Sequence, residues 1–312
     1  MIRVEGLFRK YGRFEAVRDV GFFAGKGEIV GLLGQNGAGK TTVMNVLAGV
    51  LAPSAGRVSI LGHDIVSQPE RAKPHIGYLP ETPPLYPELT VLEYLRFCCR
   101  IKGVSGAGMD AHIQEIIGLT DLKEVESQLI GRLSKGFRQR AGMAQALCGD
   151  PEVLLLDEPT SGFDPLQALA FRKLVRKLAK EKAILFSSHL LGEVQAICDR
   201  VLIMHEGRLV MDHTALEADG QTPQYRLHIA ALPARVVSPI RGLPSVRRVH
   251  LLSEGNEKAT RVLVDTEKGS AFQRELFTLL TGLNAPIMEL TPLEEPLETL
   301  FIKATTGQQG GN

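Results

Sequence analysis

Eight residues near the start of the chain have the types and the spacing of a phosphate-binding loop. They follow the pattern GxxxxGK[ST] and are Gly34, Gln35, Asn36, Gly37, Ala38, Gly39, Lys40 and Thr41. Glycines let consecutive backbone N–H groups turn towards phosphate oxygens, because a Cβ atom would block both the turn and the approach. We expect Lys40 to reach the β- and γ-phosphates, and the Thr41 hydroxyl to ligate Mg²⁺.

The surroundings of this loop agree with that prediction. Residues 28–33 before it form a mainly apolar run typical of a buried strand, and residues 41–50 after it, which include Thr42, have the pattern of a helix. Such a helix presents the positive end of its dipole to the bound phosphate. The alternative is a glycine-rich surface turn without a ligand. The loop glycines are spaced three and then two, whereas dinucleotide-binding loops need two and then three, so an NAD site is disfavoured.

A second apolar run, at residues 153–156, ends in two acids, Asp157 and Glu158. An ionised carboxylate at the end of a buried strand is costly to desolvate unless it has a partner. In a nucleotide site that partner is Mg²⁺, and we expect Asp157 to hold it. We expect Glu158 to orient or deprotonate the water that attacks the γ-phosphate.

Further segments occur in the order that one protein family shows. They are Tyr11 near the start, Leu133-Ser134-Lys135-Gly136-Phe137-Arg138-Gln139-Arg140 before the acid pair, Ser161-Gly162-Phe163-Asp164 after it, and His189 behind a predicted strand at 183–188. With these motifs, residues 2–215 resemble the nucleotide-binding subunits of ABC transporters. The resemblance implies an α/β fold of P-loop NTPase type, with a mainly parallel sheet, an antiparallel β subdomain and a helical insertion.

The resemblance also implies roles for residues outside the phosphate loop. Tyr11 would stack on adenine, and His189 would contact the γ-phosphate. Two such domains would dimerise head to tail with ATP and Mg²⁺ between them. In that dimer Ser134 and the Gly136 amide would donate to the nucleotide held by the partner's loop, and Asp164 of the D-loop would also belong to the nucleotide site.

Two departures from the family pattern stand out. Glu81 occupies the place where the family usually has Gln. A carboxylate can meet Mg²⁺ but cannot donate a hydrogen bond, so we expect Glu81 to keep a contact with the metal and to change the donor role. The second departure is in the segment that corresponds to the family's signature motif, which begins at Leu133. It reads LSKGF here, whereas the family has LSGGQ. Lys135 either adds positive charge near the partner's nucleotide or faces solvent, and Phe137 removes the Gln side chain that could contact ribose.

Both departures resemble the ATPase subunits of ABC-2-type exporters, including those of gliding-motility type. The resemblance implies a second nucleotide-binding subunit as partner, another copy of this chain or a close relative, and separate integral membrane permease subunits. Residues 81–96 would accept a short permease helix, with Pro83, Pro84, Leu85 and Tyr86 as exposed apolar contacts. Alternatively, these four residues merely pack the helical insertion on the sheet.

The balance of charge limits the class of partner. The chain carries 36 Lys and Arg residues against 35 Asp and Glu residues, which argues against a strongly basic, sequence-independent nucleic-acid binder. Its apolar runs are strand-sized, well short of the roughly 18 residues of a membrane span, and no signal-peptide pattern opens the sequence. We therefore expect a cytoplasmic protein with no nucleic-acid partner and no direct membrane insertion. The resemblance to ABC transporter subunits implies that it is peripheral on the inner face of the membrane.

Length and patterning predict two domains. At roughly 150 residues per domain, a chain of 312 residues has room for two. We assign residues 1–219 to the ATPase domain, with a helical subdomain at about 85–145. There Thr90 and Glu93 have the spacing of a capping box at the start of a helix.

The remainder of the chain predicts a smaller α+β domain at 222–305. Its pattern is strand, helix, strand, strand, helix, strand, the order of a ferredoxin-like split βαβ unit, with a turn at Gly255-Asn256. We expect it to have a regulatory or dimer-stabilising role. Residues 306–312 are polar and glycine-rich, which predicts a flexible tail.

Two other functions remain open from the sequence. One is a soluble ABC ATPase that acts on nucleic acid or the ribosome. The other is a catalytically idle nucleotide-binding adaptor, which is disfavoured because Lys40, Asp157, Glu158 and His189 are all present.

Overall fold

The chain divides into two compact units. The computed structural model describes residues 1–106, 108–214, 224–253, 259–267, 271–293 and 301–302. Residues up to 214, together with Phe301 and Ile302, belong to the first unit, and residues 224–293 belong to the second. The boundary expected between 219 and 222, the turn expected at Gly255-Asn256 and the tail expected over 306–312 lie outside the described residues.

The first unit alternates strands and helices. Its strands are β1 (Ile2–Tyr11), β2 (Phe14–Ala24), β3 (Ile29–Leu33), β4 (Ala55–Ile60), β5 (His63–Asp64), β6 (Ile76–Leu79), β7 (Val153–Asp157), β8 (Ala183–Ser188), β9 (Arg200–His205) and β10 (Arg208–Thr214). Its helices are α1 (Lys40–Leu47), α2 (Pro69–Ala72), α3 (Val91–Ile101), α4 (Gly108–Leu119), α5 (Lys135–Leu147), α6 (Pro165–Ala179) and α7 (Leu191–Ile197).

The central sheet of the first unit has the order β10-β9-β3-β8-β7-β6. Only the pairing of β10 with β9 is antiparallel, and the other strands run parallel. Strands β3, β7 and β8 are buried along their whole length, as expected for a parallel sheet covered on both faces. Because β3, β8 and β7 are neighbours, the loops that follow their carboxyl ends meet at one edge.

Two further parts complete the first unit. Strands β2, β1, β4 and β5 form an antiparallel sheet in that order. Helices α3, α4 and α5 lie between β6 and β7 along the chain and pack on one another. The capping box predicted at α3 is confirmed, because the Thr90 hydroxyl accepts from the Glu93 N–H and the Glu93 carboxylate accepts from the Thr90 N–H. Among the described residues no helix is long and apolar enough to cross a membrane.

The second unit has its own sheet and its own core. Its elements are β11 (Gln224–Ile229), α8 (Pro233–Arg241), β12 (Val246–Ser253), β13 (Thr260–Thr266), α9 (Phe272–Gly282) and β14 (Ile287–Leu293). The sheet is antiparallel with the order β12-β13-β11-β14, which is the ferredoxin-like arrangement. Leu227, Val262, Phe272 and Leu276 are among the buried residues of a separate apolar cluster.

A glycine sets the distance between the sheet and α5. Gly77 lies in β6, and an ideal Cβ atom there would be 2.1 Å from the Ala146 carbonyl oxygen and 2.7 Å from Leu154 Cδ2. A backbone oxygen cannot move aside as the end of a flexible side chain can. The close packing of α5 on β6 therefore depends on a residue without a side chain.

We expect Gly77→Ala to lower the free energy of unfolding by about 1–3 kcal/mol, because the added methyl group overpacks this contact. Gly118→Ala is the matched control, since Gly118 lies in α4 with open space where its Cβ would be. Ala is the better helix former, so this control should gain up to about 1 kcal/mol. Urea unfolding measures both, and a Gly77→Ala protein as stable as the wild type would contradict the prediction.

Candidate functional site

The phosphate-loop motif forms the turn between β3 and α1. Gly39 caps the amino end of α1 with φ = 103°, a left-handed conformation that glycine adopts without strain. A Cβ atom on Gly39 would lie 2.6 Å from the Ala16 carbonyl oxygen of β2. The loop therefore fits against the antiparallel sheet only with glycine at this position.

Lys40 points back into its own loop. Its side chain is 6% exposed, and its Nζ atom donates to the carbonyl oxygens of Gly34 at 2.8 Å and Gln35 at 3.3 Å. The same ammonium group lies 3.4 Å from Glu158 Oε1. The cation is thus held between the loop and the second acid of the pair, where an incoming phosphate would meet it.

Asp157 is the last residue of β7 and is fully buried. Its Oδ1 atom accepts from the Ser187 hydroxyl, whereas Oδ2 is buried with no hydrogen-bond partner among the described residues. Burial raises the pKa of Asp157, the nearby hydroxyls of Ser187 and Thr41 oppose this shift, and the negative charge of Glu81 adds to it. A buried carboxylate oxygen without a donor is one that a cation would satisfy.

Mg²⁺ fits the oxygen atoms at this place. The Thr41 hydroxyl lies at the Asp157 carboxylate, and Glu81 is close enough for its charge to act on that carboxylate. Hydroxyl and carboxylate oxygens are the ligands that Mg²⁺ prefers in proteins.

Glu158 is held in an unusual conformation. Its φ of 45° is left-handed, which costs a non-glycine residue energy and persists only where the surroundings enforce it. Its N–H donates to both the carbonyl oxygen and the hydroxyl of Ser187, at 3.2 and 3.1 Å. Its Oε2 atom lies 2.9 Å from Nδ1 of His189, whose side chain is 44% exposed. The carboxylate therefore stands between Lys40 and His189.

These residues surround one open cavity of about 430 Å³. Those that the sequence analysis named are Tyr11, Asn36, Gly37, Gly39, Lys40, Thr41, Thr42, Glu81, Glu158 and His189. Of the remaining loop residues, Gly34 and Gln35 accept hydrogen bonds from Lys40 Nζ through their carbonyl oxygens. The Ala38 N–H donates to the Gln35 carbonyl at 3.1 Å. Asp157 lies at the Thr41 hydroxyl, as described above.

Three further predicted residues, outside the phosphate loop and the acid pair, also do not line this cavity. Ser134 caps α5, where its hydroxyl accepts from the Phe137 N–H, and Gly136 is buried in the first turn of that helix. Asp164 caps α6, where its carboxylate accepts from the Gln167 N–H. The structure thus brings the phosphate loop, the acid pair, Glu81 and His189 together, and it leaves Ser134, Gly136 and Asp164 outside.

Three residues at the site were missed from the sequence. Phe14 and Ala16 of β2 line the cavity, and Ser187 contacts both acids. Tyr11 and Phe14 face each other across the β1–β2 hairpin, and the Arg9 guanidinium lies 4.8 Å from the Tyr11 ring centroid. Phe14 directly follows the hairpin turn, which is the one signal that could have found it.

Comparison with known proteins identifies the family. A family model described as ABC transporter matches residues 17–161. The ABC transporter ATP-binding protein NatA of Bacillus subtilis is 41% identical over 199 residues, which are 63% of this chain and 80% of NatA. The chain belongs to the ABC transporter family. As an ABC ATP-binding protein it binds ATP and is an ATPase.

Two further relatives extend the similarity. YdbJ of Bacillus subtilis is named an uncharacterised ABC transporter ATP-binding protein. It is 32% identical to this chain over 316 residues, which cover 99% of this chain and 96% of YdbJ. A solved structure of an ATP-binding subunit of an ABC transporter matches with a TM-score of 0.65 and 32% identity, over 69% of this chain and 90% of that one.

Proposed function

We propose that this ABC ATPase energises a membrane exporter of ABC-2 type by hydrolysing ATP at the cavity described above. The observation that carries the proposal is the contact of Glu158 with both Lys40 and His189, at the mouth of the phosphate loop. The assignment to the ABC-2 type is supported by Glu81 and by the LSKGF form of the signature.

In the proposed reaction water attacks the γ-phosphorus, and the bond to the β-phosphate oxygen breaks to leave ADP. The loop N–H groups and Lys40 bind the phosphates and stabilise the charge that develops on them. Glu158 orients the water and takes its proton at the carboxylate. His189 holds that carboxylate through Nδ1 and reaches the γ-phosphate with the other side of its ring.

We propose that Mg²⁺ is held by Thr41, Asp157 and Glu81. When bound, the ion neutralises negative charge on the β- and γ-phosphates. The buried, unpaired Oδ2 of Asp157 supports this assignment.

We propose a head-to-tail dimer in which each ATP lies between two subunits. The position of Ser134, Gly136 and Asp164 outside the cavity supports it, because residues that do not reach their own nucleotide are free to serve the partner's. Hydrolysis would remove the molecule that joins the subunits.

We expect Glu158→Gln to abolish turnover but keep ATP binding. Losing a general base typically costs a factor of about 10²–10⁴ in rate, and the amide still occupies the same space. With ATP and Mg²⁺ the variant should elute as a dimer in gel filtration, whereas the wild type returns to the monomer. Glu181→Gln, at an exposed position after α6, is the control. A Glu158→Gln enzyme with wild-type turnover would overturn the mechanism.

We expect Glu81→Ala to raise the Mg²⁺ concentration needed for half-maximal ATPase by about tenfold, because a contact to the ion is lost. Glu81→Gln keeps an oxygen and gains a donor, so its Mg²⁺ requirement should rise less. Titrating Mg²⁺ at saturating ATP measures both. If the two variants match the wild type, Glu81 has no role at the metal.

We propose that a permease docks beside α3 and holds the protein at the inner face of the membrane. Tyr86 packs edge-on against Tyr94 and Phe97, and Tyr86 and Phe97 remain 44% and 40% exposed. Of the apolar candidates, Pro84 is exposed as expected, whereas Pro83 and Leu85 are half-buried. Pro83 packs on Gly142 of α5, which favours for this residue the alternative that it packs the insertion.

We expect Glu88→Lys to abolish co-purification with integral membrane subunits and to leave the ATPase activity of the isolated chain unchanged. Glu88 is exposed next to Tyr86, so reversing its charge should repel the partner without disturbing the fold. Glu124→Lys, also in the helical region, is the control. Intact co-purification by the Glu88→Lys protein would contradict this docking surface.

A further inference from the structure

The start of α5 contacts the turn after β7 and the start of α6 through two glycines. An ideal Cβ atom on Gly162 would lie 2.6 Å from Lys135 Nζ, 2.9 Å from its Cε and 3.0 Å from its Cδ. An ideal Cβ atom on Gly136 would lie 2.9 Å from Gln167 Oε1. Each glycine is therefore covered by a long side chain from the other segment. We call these four residues the glycine clasp.

Helix stability does not explain the lysine in the clasp. Lys135 is the first residue of α5, whose first turn holds no acidic residue. A cation at the amino end of a helix opposes the helix dipole. Among the described residues Lys135 has no ion pair and no side-chain hydrogen bond. Instead, the last three atoms of its side chain, Cδ, Cε and Nζ, pack over Gly162.

Gly162 belongs to the turn that holds Glu158. The Ser161 N–H donates to the Glu158 carbonyl at 3.1 Å, and the Phe163 N–H donates to the Thr160 carbonyl at 3.0 Å. Gly162 has a φ of 81°, so the turn needs a glycine there and offers no side chain of its own to fill the space above it. A displacement of Gly162 would be transmitted through Ser161 to the backbone of Glu158.

We propose that Lys135 is a positioning residue for ATP hydrolysis, which packs over Gly162 and so fixes the turn that orients the Glu158 carboxylate. Lys135 is exposed, but neither of the two roles considered from the sequence, solvent exposure or charge near the partner's nucleotide, includes this contact within one chain. A glycine at position 135, as in LSGGQ, would leave Gly162 uncovered. The inference rests on the proposed role of Glu158.

The clasp also joins two parts of the proposed dimer. On the α5 side of the clasp, Gly136 is proposed to serve the partner's nucleotide. On the other side, Gly162 lies in the turn that holds Glu158, which serves the chain's own nucleotide. A movement of the signature segment would therefore reach the subunit's own base through Lys135 and Gly162.

The test compares three substitutions of Lys135 in the full-length chain, by steady-state ATPase kinetics at saturating Mg²⁺. Lys135→Ala removes the covering atoms and should lower kcat about tenfold, because small displacements of a catalytic group cost large factors in rate. The KM for ATP should change less than about twofold, since the phosphate loop is not affected. Lys135→Met keeps the stem without the charge, and Lys135→Arg keeps both, so both should retain kcat within about threefold.

The control is Lys177→Ala, the same substitution at an exposed position of α6. Thermal unfolding should give all variants the wild-type Tm within about 2 °C, as is usual for surface substitutions. A loss of kcat with unchanged KM and Tm would support positioning rather than a general loss of structure. If kcat falls only together with a Tm more than about 2 °C below that of the wild type, the loss reflects general destabilisation and the positioning role is overturned.

The remaining outcomes are equally decisive. If Lys135→Met loses as much kcat as Lys135→Ala, the charge rather than the packing is needed, and the inference is wrong. If the wild type is active and Lys135→Ala equals it, the inference fails while the proposed function stands. If the wild type itself does not hydrolyse ATP, the proposed function fails and the inference with it.

Discussion

A carboxylate buried at the end of an apolar strand is the constraint on which the site depends. Asp157 is the last residue of β7 and is fully buried, and desolvating an ionised carboxylate there costs free energy unless it has a partner. Ser187 satisfies one oxygen from the neighbouring strand, and the other oxygen is left for something that is not a side chain. The rest of the site leaves room for a cation at this carboxylate. Beside it, the N–H groups of the phosphate loop and the Lys40 ammonium can bind the anion that accompanies the cation.

The parallel sheet makes this concentration of charge possible. Leu33 of β3 pairs with Ser188 of β8, and Asp157 of β7 pairs with Ser187, so three strands end side by side. Loops that are far apart in the sequence then share one edge. Ser187 uses its hydroxyl to bond Asp157 and its carbonyl to hold the backbone of Glu158, so a single residue orients both acids.

Much of this arrangement could be predicted because it is local. The phosphate loop, the acid pair and the capping box of α3 are each defined by residues within a few positions of one another. Phe14, Ala16 and Ser187 could not be predicted, because each reaches the site through the packing of one strand or sheet on another. The same holds for Lys135, since no pattern in the sequence shows that Gly162 lies under its side chain. Contacts between segments distant in sequence depend on side-chain conformations that periodicity does not encode.

The second unit buries Leu227, Val262 and Phe272 in a cluster of its own. A module that satisfies its own apolar residues can diverge, or be exchanged for another, while the strands that hold the nucleotide stay as they are.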